Sequence, residues 1–246
     1  MNLMKIISLN YIRKYLLSIK QTPNISVLLA TYNNEHTIGE SIKSILEQTY
    51  ENFELLILDD CSTDKTRNIV EEFNDARIRF FQNKQNLGLT KSLNILLKKS
   101  NGKYIARQDA DDISLKDRFK IQEKYLRHNN SQFCSSRALI KKTGKKIPGL
   151  SYYIPQNIVM KYKNPHIHGT IFLEKSVIEK CGGYDENFYY SQDFKLYLDL
   201  KKRGIKLNKI NKVLYLLNTE NNISSSKKSE QNYYFECAKK EITPNL

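Results

Sequence analysis

Neither glycine-rich phosphate loop of the common nucleotide-binding folds occurs in this chain. No G-x-G-x-x-G and no G-x-x-x-x-G-K-[ST] is found in its 246 residues, so readings as a nicotinamide-dependent dehydrogenase or a P-loop enzyme fail. Cysteine is sparse. Cys61, Cys134, Cys181 and Cys237 lie far apart and form no C-x-x-C pair or zinc-like spacing, which makes reduced cytosolic thiols the default. Long apolar runs are also missing. A membrane-crossing helix needs about 20 predominantly apolar residues. The longest uncharged run of the opening segment, Ile6 to Ile12, is interrupted by Asn10 and stopped by Arg13. That segment has no small-residue cleavage site, so neither a span nor a signal peptide is expected there. Acid is absent before Glu35 and again between Glu123 and Glu174.

What the chain does have is positive charge. Forty Lys and Arg stand against 26 Asp and Glu, a net charge of +14, which points to anionic partners such as nucleic acid, anionic lipid or phosphorylated substrates. Residues 1–22 carry Lys5, Arg13, Lys14 and Lys20 on an amphipathic pattern. A helix lying on an anionic membrane, a helix packed on its own domain and a frayed end all fit that pattern. With 40% hydrophobic residues the remainder can bury the core of one domain.

From Ile25 two kinds of segment alternate. "ISVLLA", "FELLIL", "RIRFFQ" and "KYIAR" are compact and apolar; "EHTIGESIKSILEQT", "STDKTRNIVEEF" and "LTKSLNILLKKS" repeat apolar residues at helical spacing. Strands alternating with helices predict an α/β protein with a mostly parallel sheet flanked by helices. Beyond Leu126 the pattern predicts a hairpin at Thr143-Gly144, a strand over "HGTIFL", and helices over "EKSVIEKCGG" and "SQDFKLYLDLKKRG". The expected organisation is a nucleotide-side half, 23–126, a smaller half, 127–218, and a peripheral segment, 219–246.

Ligands of such sheets bind beyond the carboxyl ends of the strands. "TYNNE", "DDCSTD" and "RQDADD" all fall there. Three carboxylates in four positions, Asp109, Asp111 and Asp112, need positive charge nearby. A divalent cation that prefers oxygen ligands and helps bind a diphosphate would supply it. An acidic turn capping a helix begun near Ser114, with Asp117 completing a capping-box-like pair, is the competing structural reading. Asp59 and Asp60 can accept a hydrogen bond from a base imino N–H, or cap "STDKT" with Ser62 and Asp64. Asp193, at the start of a helix, can accept a proton from an attacking hydroxyl. His166 and His168 would share one face if they lay on a strand.

Taken together, "ISVLLATYNNEHTIGESIKSILEQTYENFELLILDDCSTDKT", "NLGLTKSLN", "GKYIARQDADD" and "GGYDENFYYSQDFKLYLDL" resemble the family 2 glycosyltransferases of GT-A fold in order and spacing, over about Asn24 to Asn218. The resemblance implies a Rossmann-like sheet, a UDP-sugar donor, Mn²⁺ or Mg²⁺, and inversion at the anomeric carbon. By position it implies that Thr31, Tyr32, Asn33 and Asp60 hold the uridine. Lys91, Arg107, Asp109 and Ala110 then lie on the donor. Asp111, with Asp109, binds the metal, and Asp112 stands behind them. Asp193 would be the general base, with Gln192, where many members carry Glu, and His168 on the acceptor side.

The family's processive synthases carry a Q-x-x-R-W block and membrane spans. This chain has no Trp and no spanning segment, which predicts an enzyme adding one sugar per encounter. The implied acceptor is a glycan or glycolipid of a bacterial surface polymer such as lipooligosaccharide or capsule. The implied location is cytoplasmic, with peripheral contact to an anionic membrane. A nucleotidyltransferase is the nearest alternative, but "TYNNEHTIG" lacks its glycine-rich loop. A basic nucleic-acid binder explains the charge and not "DADD" or Asp193, so no specific nucleic acid is expected.

Overall fold

A computed structural model describes residues 22–220 and 227–245. The expectation for residues 1–22 falls almost wholly outside them. Among the described residues nine strands, numbered in chain order, form one sheet in the order third, second, first, fourth, eighth, sixth, ninth, fifth, with the seventh paired to the sixth. Strands β1 (Ile25–Thr31), β2 (Phe53–Asp59), β3 (Ile78–Gln82) and β4 (Tyr104–Arg107) form its parallel half. All seven residues of β1 and of β2 are buried, as expected of parallel strands covered on both faces. Alternation sorts them into two cores. Leu28 and Ala30 join Leu56 and Leu58 on one face; Val27 and Leu29 join Leu55 and Ile57 on the other. The helix Ile38–Leu46 covers the second face, because Ile38, Ile42 and Ile45 recur at 3.6-residue spacing and are fully buried.

The remaining strands are β5 (Ile113–Ser114), β6 (Phe133–Ile140), β7 (Lys146–Ile147), β8 (Phe172–Glu174) and β9 (Asn208–Leu217). β8 runs antiparallel between β4 and β6, so the sheet turns from parallel to mixed there. The hairpin at Thr143-Gly144 forms as β6–β7, with Gly144 at φ 65°. "HGTIFL" forms a strand only from Phe172. Residues His168–Thr170 make a 3₁₀ turn, so the two histidines do not share a strand face. Ser114 belongs to β5, and the helix expected there begins at Arg118. The helix Lys228–Lys240 lies within the segment expected to be peripheral. It packs on the helix Gln192–Lys202 and places Tyr234, Cys237 and Ala238 in the first core.

After β1 the chain goes to β2 and β3 on one side, then crosses back to place β4 on the other. The carboxyl ends of β1 and β4 therefore diverge into loops at a topological switch point, which is where a crevice forms.

Candidate active site

A cleft of about 780 Å³ opens at that switch point. Its walls come from the ends of β1, β2 and β4, the segment 162–169, and the first turn of the helix Gln192–Lys202.

On the β1–β2 side, Asp59 and Asp60 have different tasks. Asp59 is fully buried and accepts from the Ser62 N–H at 3.0 Å, the Ser62 hydroxyl and Gln82 Nε2 at 3.2 Å. Ser62 thus braces Asp59 rather than capping a helix, while Asp64 Oδ1 takes the Thr66 N–H at 2.9 Å. Asp60 reaches the cleft. It accepts from Asn83 Nδ2 at 2.7 Å and from the Leu87 and Gly88 N–H groups at 2.9 and 2.7 Å. A carboxylate offers about four acceptor positions, so one remains for a ligand N–H. Thr31 is buried and bonded to Asn34. Tyr32 is 46% exposed at the rim. Asn33, at φ 53°, joins the two loops by accepting the Thr63 N–H at 2.9 Å. All three border the cleft, whereas Lys91 does not. In the first turn of the helix Leu89–Lys99, Thr90 and Ser92 face inward and Lys91 is turned out to solvent.

The turn after β4 concentrates the acid. Arg107, 1% exposed, donates from Nη2 to Asp109 Oδ1 at 2.6 Å and leaves its Nε without a partner. The Asp109 N–H donates to the Tyr215 hydroxyl at 3.0 Å. Ala110 is buried at the cleft wall. The Asp111 carboxylate has no side-chain hydrogen bond among the described residues; burial and the neighbouring Asp109 charge push its pKa up to about 6. Asp112 is 2% exposed and accepts the Asn218 N–H at 2.6 Å; burial, Asp109 and Asp111 push its pKa up too. It therefore pins the end of β9 under the turn. Below lies a fully buried guanidinium, Arg118, satisfied by neutral oxygens of Gln108, Ser114, Gln122 and the Arg107 carbonyl. Asp117 does not complete a capping box; its Oδ1 accepts from the Thr49 hydroxyl at 2.8 Å.

On the opposite chain half, Asp193 sits in the first turn of its helix. It follows Ser191, whose left-handed φ of 52° is held by a hydroxyl bond to the Gln231 carbonyl at 3.0 Å. Burial pushes its pKa up to about 6, against hydrogen bonds from the Phe194 N–H and Asn164 Nδ2. Gln192 and His168 also border the cleft. His168 Nε2 meets the Tyr184 hydroxyl at 2.9 Å, and burial with the Arg107 charge holds the ring neutral. His166 has a structural environment. Gln156 Nε2 at 2.9 Å leaves its Nε2 as acceptor, so Nδ1–H donates to the Ser135 hydroxyl at 2.7 Å; burial lowers its pKa to about 3. Asn164, Tyr184, Tyr215 and Arg118 are site residues that sequence reasoning missed. Only Asn164 left a trace, beside "PHIHG".

Among the described residues no three metal-ligating side chains form a complete cage. A pair of carboxylates suits a hard cation that takes its other ligands from substrate phosphates and water. Asp111 fits that need: its carboxylate takes no side-chain hydrogen bond among the described residues, and burial beside the Asp109 charge raises its pKa against the pull of Arg107. Asp109 offers its second oxygen.

The domain's architecture recurs in solved transferases. Staphylococcus aureus TarS, solved with UDP, aligns with a TM-score of 0.68 at 21% identity, over 90% of this chain and 67% of that one. The mannosyltransferase PcManGT of Pyrobaculum calidifontis, solved with GDP-Man and Mn²⁺, gives 0.71 at 18% identity, over 91% and 65%. The chain thus spans about two thirds of those proteins, and the fold is GT-A. Residues 26–182 match the family described as "Glycosyl transferase family 2". Escherichia coli WfgD, named UDP-Glc:alpha-D-GlcNAc-diphosphoundecaprenol beta-1,3-glucosyltransferase, is 34% identical over 181 residues, 72% of this chain and 70% of its own. Bacillus subtilis EpsE is 34% identical over 200 residues, 78% and 72%. The chain belongs to glycosyltransferase family 2.

Proposed function

We propose that this glycosyltransferase moves one sugar from a UDP-sugar to a hydroxyl of a glycan or lipid-linked glycan by a single inverting displacement. One observation carries the reading: Asp111 and Asp193, far apart in sequence, both line one cleft with pKa values raised to about 6, and Asp60 borders the same space. Carboxylates poised in this way mark functional sites. Asp60, Thr31 and Tyr32 receive the nucleoside. Asp109 and Asp111 would hold a divalent ion, which when bound offsets the charge of the diphosphate.

Asp193 accepts the proton of the acceptor hydroxyl. The oxygen forms the new bond to the anomeric carbon, and the carbon–diphosphate bond breaks with its electron pair leaving on UDP. Positioning and fixed charge supply most of the rate. The UDP complex of TarS and the name of WfgD support the donor, and the diphosphoundecaprenol-linked sugar in WfgD's name supports a lipid-linked glycan acceptor.

A panel of nucleotide sugars, assayed with Mn²⁺ and with chelator, tests this. UDP release from a UDP-sugar that needs the metal, and a product of inverted configuration by NMR, are expected. Retained configuration overturns the mechanism, and absence of release from every UDP-sugar overturns the donor.

A further inference from the structure

Between β7 and the His166 loop, the chain 148–163 folds as a 3₁₀ turn, Leu150–Tyr152, and a short helix, Gln156–Val159. Its inward contacts are complete. Tyr152 donates its hydroxyl to the Lys209 carbonyl at 3.1 Å, Gln156 bonds His166, and Val159 and Met160 are 4% and 5% exposed. The outward positions are the ones water should make polar, yet beside Asn157, Lys161 and Lys163 stand five large apolar or tyrosine side chains. Leu150 is 86% exposed, Tyr153 69%, Ile154 43%, Ile158 48% and Tyr162 78%. Scattered exposed apolar side chains are ordinary; five within thirteen residues are a local concentration of the kind that marks an interaction surface.

The rim of that patch is cationic. Lys145, Lys146, Lys161 and Lys163 are exposed and pair with no acid among the described residues, while the neighbouring Lys141 and Lys142 are held by Glu40 and Glu220. Residues 124–173 contain nine Lys and Arg and no acid at all. Apolar and tyrosine side chains surrounded by lysine match a bilayer, where the former enter the headgroup–acyl boundary and the latter meet anionic lipid. A protein partner of mixed surface charge gives no reason for fifty consecutive residues, 124–173, without acid. The patch is also continuous with the cleft, since Tyr162, Lys163 and Asn164 form part of its wall.

We propose that the face formed by Leu150, Tyr153, Ile154, Ile158 and Tyr162, with its rim of four unpaired lysines, docks on an anionic lipid bilayer and sets the mouth of the cleft at the membrane surface. It is distinct from the basic segment 1–22, and it needs neither the proposed donor nor the proposed base.

Co-sedimentation of the full chain with vesicles tests it. Retention on phosphatidylglycerol-containing vesicles at low salt is expected, with weaker retention on pure phosphatidylcholine. Leu150→Asp with Ile158→Asp lowers partitioning roughly tenfold or more, because two apolar side chains lose their burial. Lys145→Glu with Lys146→Glu lowers it roughly fivefold per charge on the anionic vesicles only. Neither pair lines the cleft, so release of UDP in solution and the unfolding temperature stay at wild-type values. Three results overturn the proposal: no retention of the wild type, retention of the Asp variant at the wild-type level, or a vesicle-free dimer that the Asp variant dissolves. Retention is read without any sugar donor, so its failure is separate from failure of the transferase reading.

Discussion

Asn164 Nδ2 donates to Asp193 Oδ2 at 2.6 Å, while Asp193 Oδ1 takes the N–H of Phe194 at 2.8 Å. The two bonds hold the carboxylate at a fixed angle and pull against the burial that raises its pKa. Asn164 also accepts the His166 N–H at 3.0 Å, which ties its side chain to the loop. Asn164→Ala should lower kcat roughly tenfold, leave KM for the donor unchanged and move the acid limb of the pH–rate profile upward. Asn164→Asp keeps an acceptor for the His166 N–H but puts a like charge against Asp193, so the limb moves further. A change in donor KM alone would place Asn164 in nucleotide binding instead.

With Asp193 at about 6, the fraction able to take a proton is nearly complete at pH 7.5 and falls tenfold for each pH unit well below 6. The transfer rate should therefore rise with pH through about 6 and level off. Asp193→Asn should keep UDP-sugar affinity, measured by calorimetry, and lose roughly 10²–10⁴-fold in turnover. Wild-type turnover in that variant removes Asp193 from the chemistry.

Asp111 predicts a linkage between metal, pH and stability. Its folded pKa is raised above the value of 3.8 expected in the unfolded chain, so the folded state binds its proton more tightly. Stability from this group falls as pH rises from about 4 to about 6, and the loss persists above that. Asp111→Asn removes the loss. Without metal the variant should be more stable than wild type at pH 7 by about 1–3 kcal/mol, discounted for the solvent that still reaches the group, with the gap closing near pH 4. Mn²⁺ should raise the wild-type Tm at pH 7 and leave that of the variant unchanged.

The parallel half of the fold was legible because burial on both faces of β1 and β2 leaves unbroken apolar runs, and Ile38, Ile42 and Ile45 mark one helical stripe. Asp60, Asp111 and Asp193 were legible because each follows a strand or opens a helix at the cleft end of the sheet. Arg118 was not. A basic residue early in an amphipathic helix reads as solvated surface, and only the folded chain shows neutral oxygens from Gln108, Ser114 and Gln122 closing around it. Asp112 was expected behind the two ligands, but not its partner: its bond to the Asn218 N–H spans 106 residues that no local pattern connects. Lys91 was misplaced because a one-residue step along a helix rotates a side chain by about 100°. The His-x-His reading failed because alternation holds only in a strand, and a 3₁₀ turn starts at His168.

Gly169 shows how closely backbone approaches the acid turn. A Cβ there would collide with the Tyr215 hydroxyl and stand 2.7 Å from Asp109 Oδ2. Its φ lies outside the left-handed region, so the requirement is space rather than backbone freedom. Tyr215 cannot yield cheaply, since it is fully buried and its hydroxyl receives the Asp109 N–H at 3.0 Å. The strain of Gly169→Ala must therefore fall on Asp109, whose other oxygen is tethered to Arg107 at 2.6 Å. Overpacking of this kind costs about 1–3 kcal/mol. The expected result is a lower Tm by that measure together with a weaker response to Mn²⁺, read by thermal unfolding with and without the ion. If the metal response survives intact while stability falls, Asp109 contributes nothing to cation binding and Asp111 acts without it.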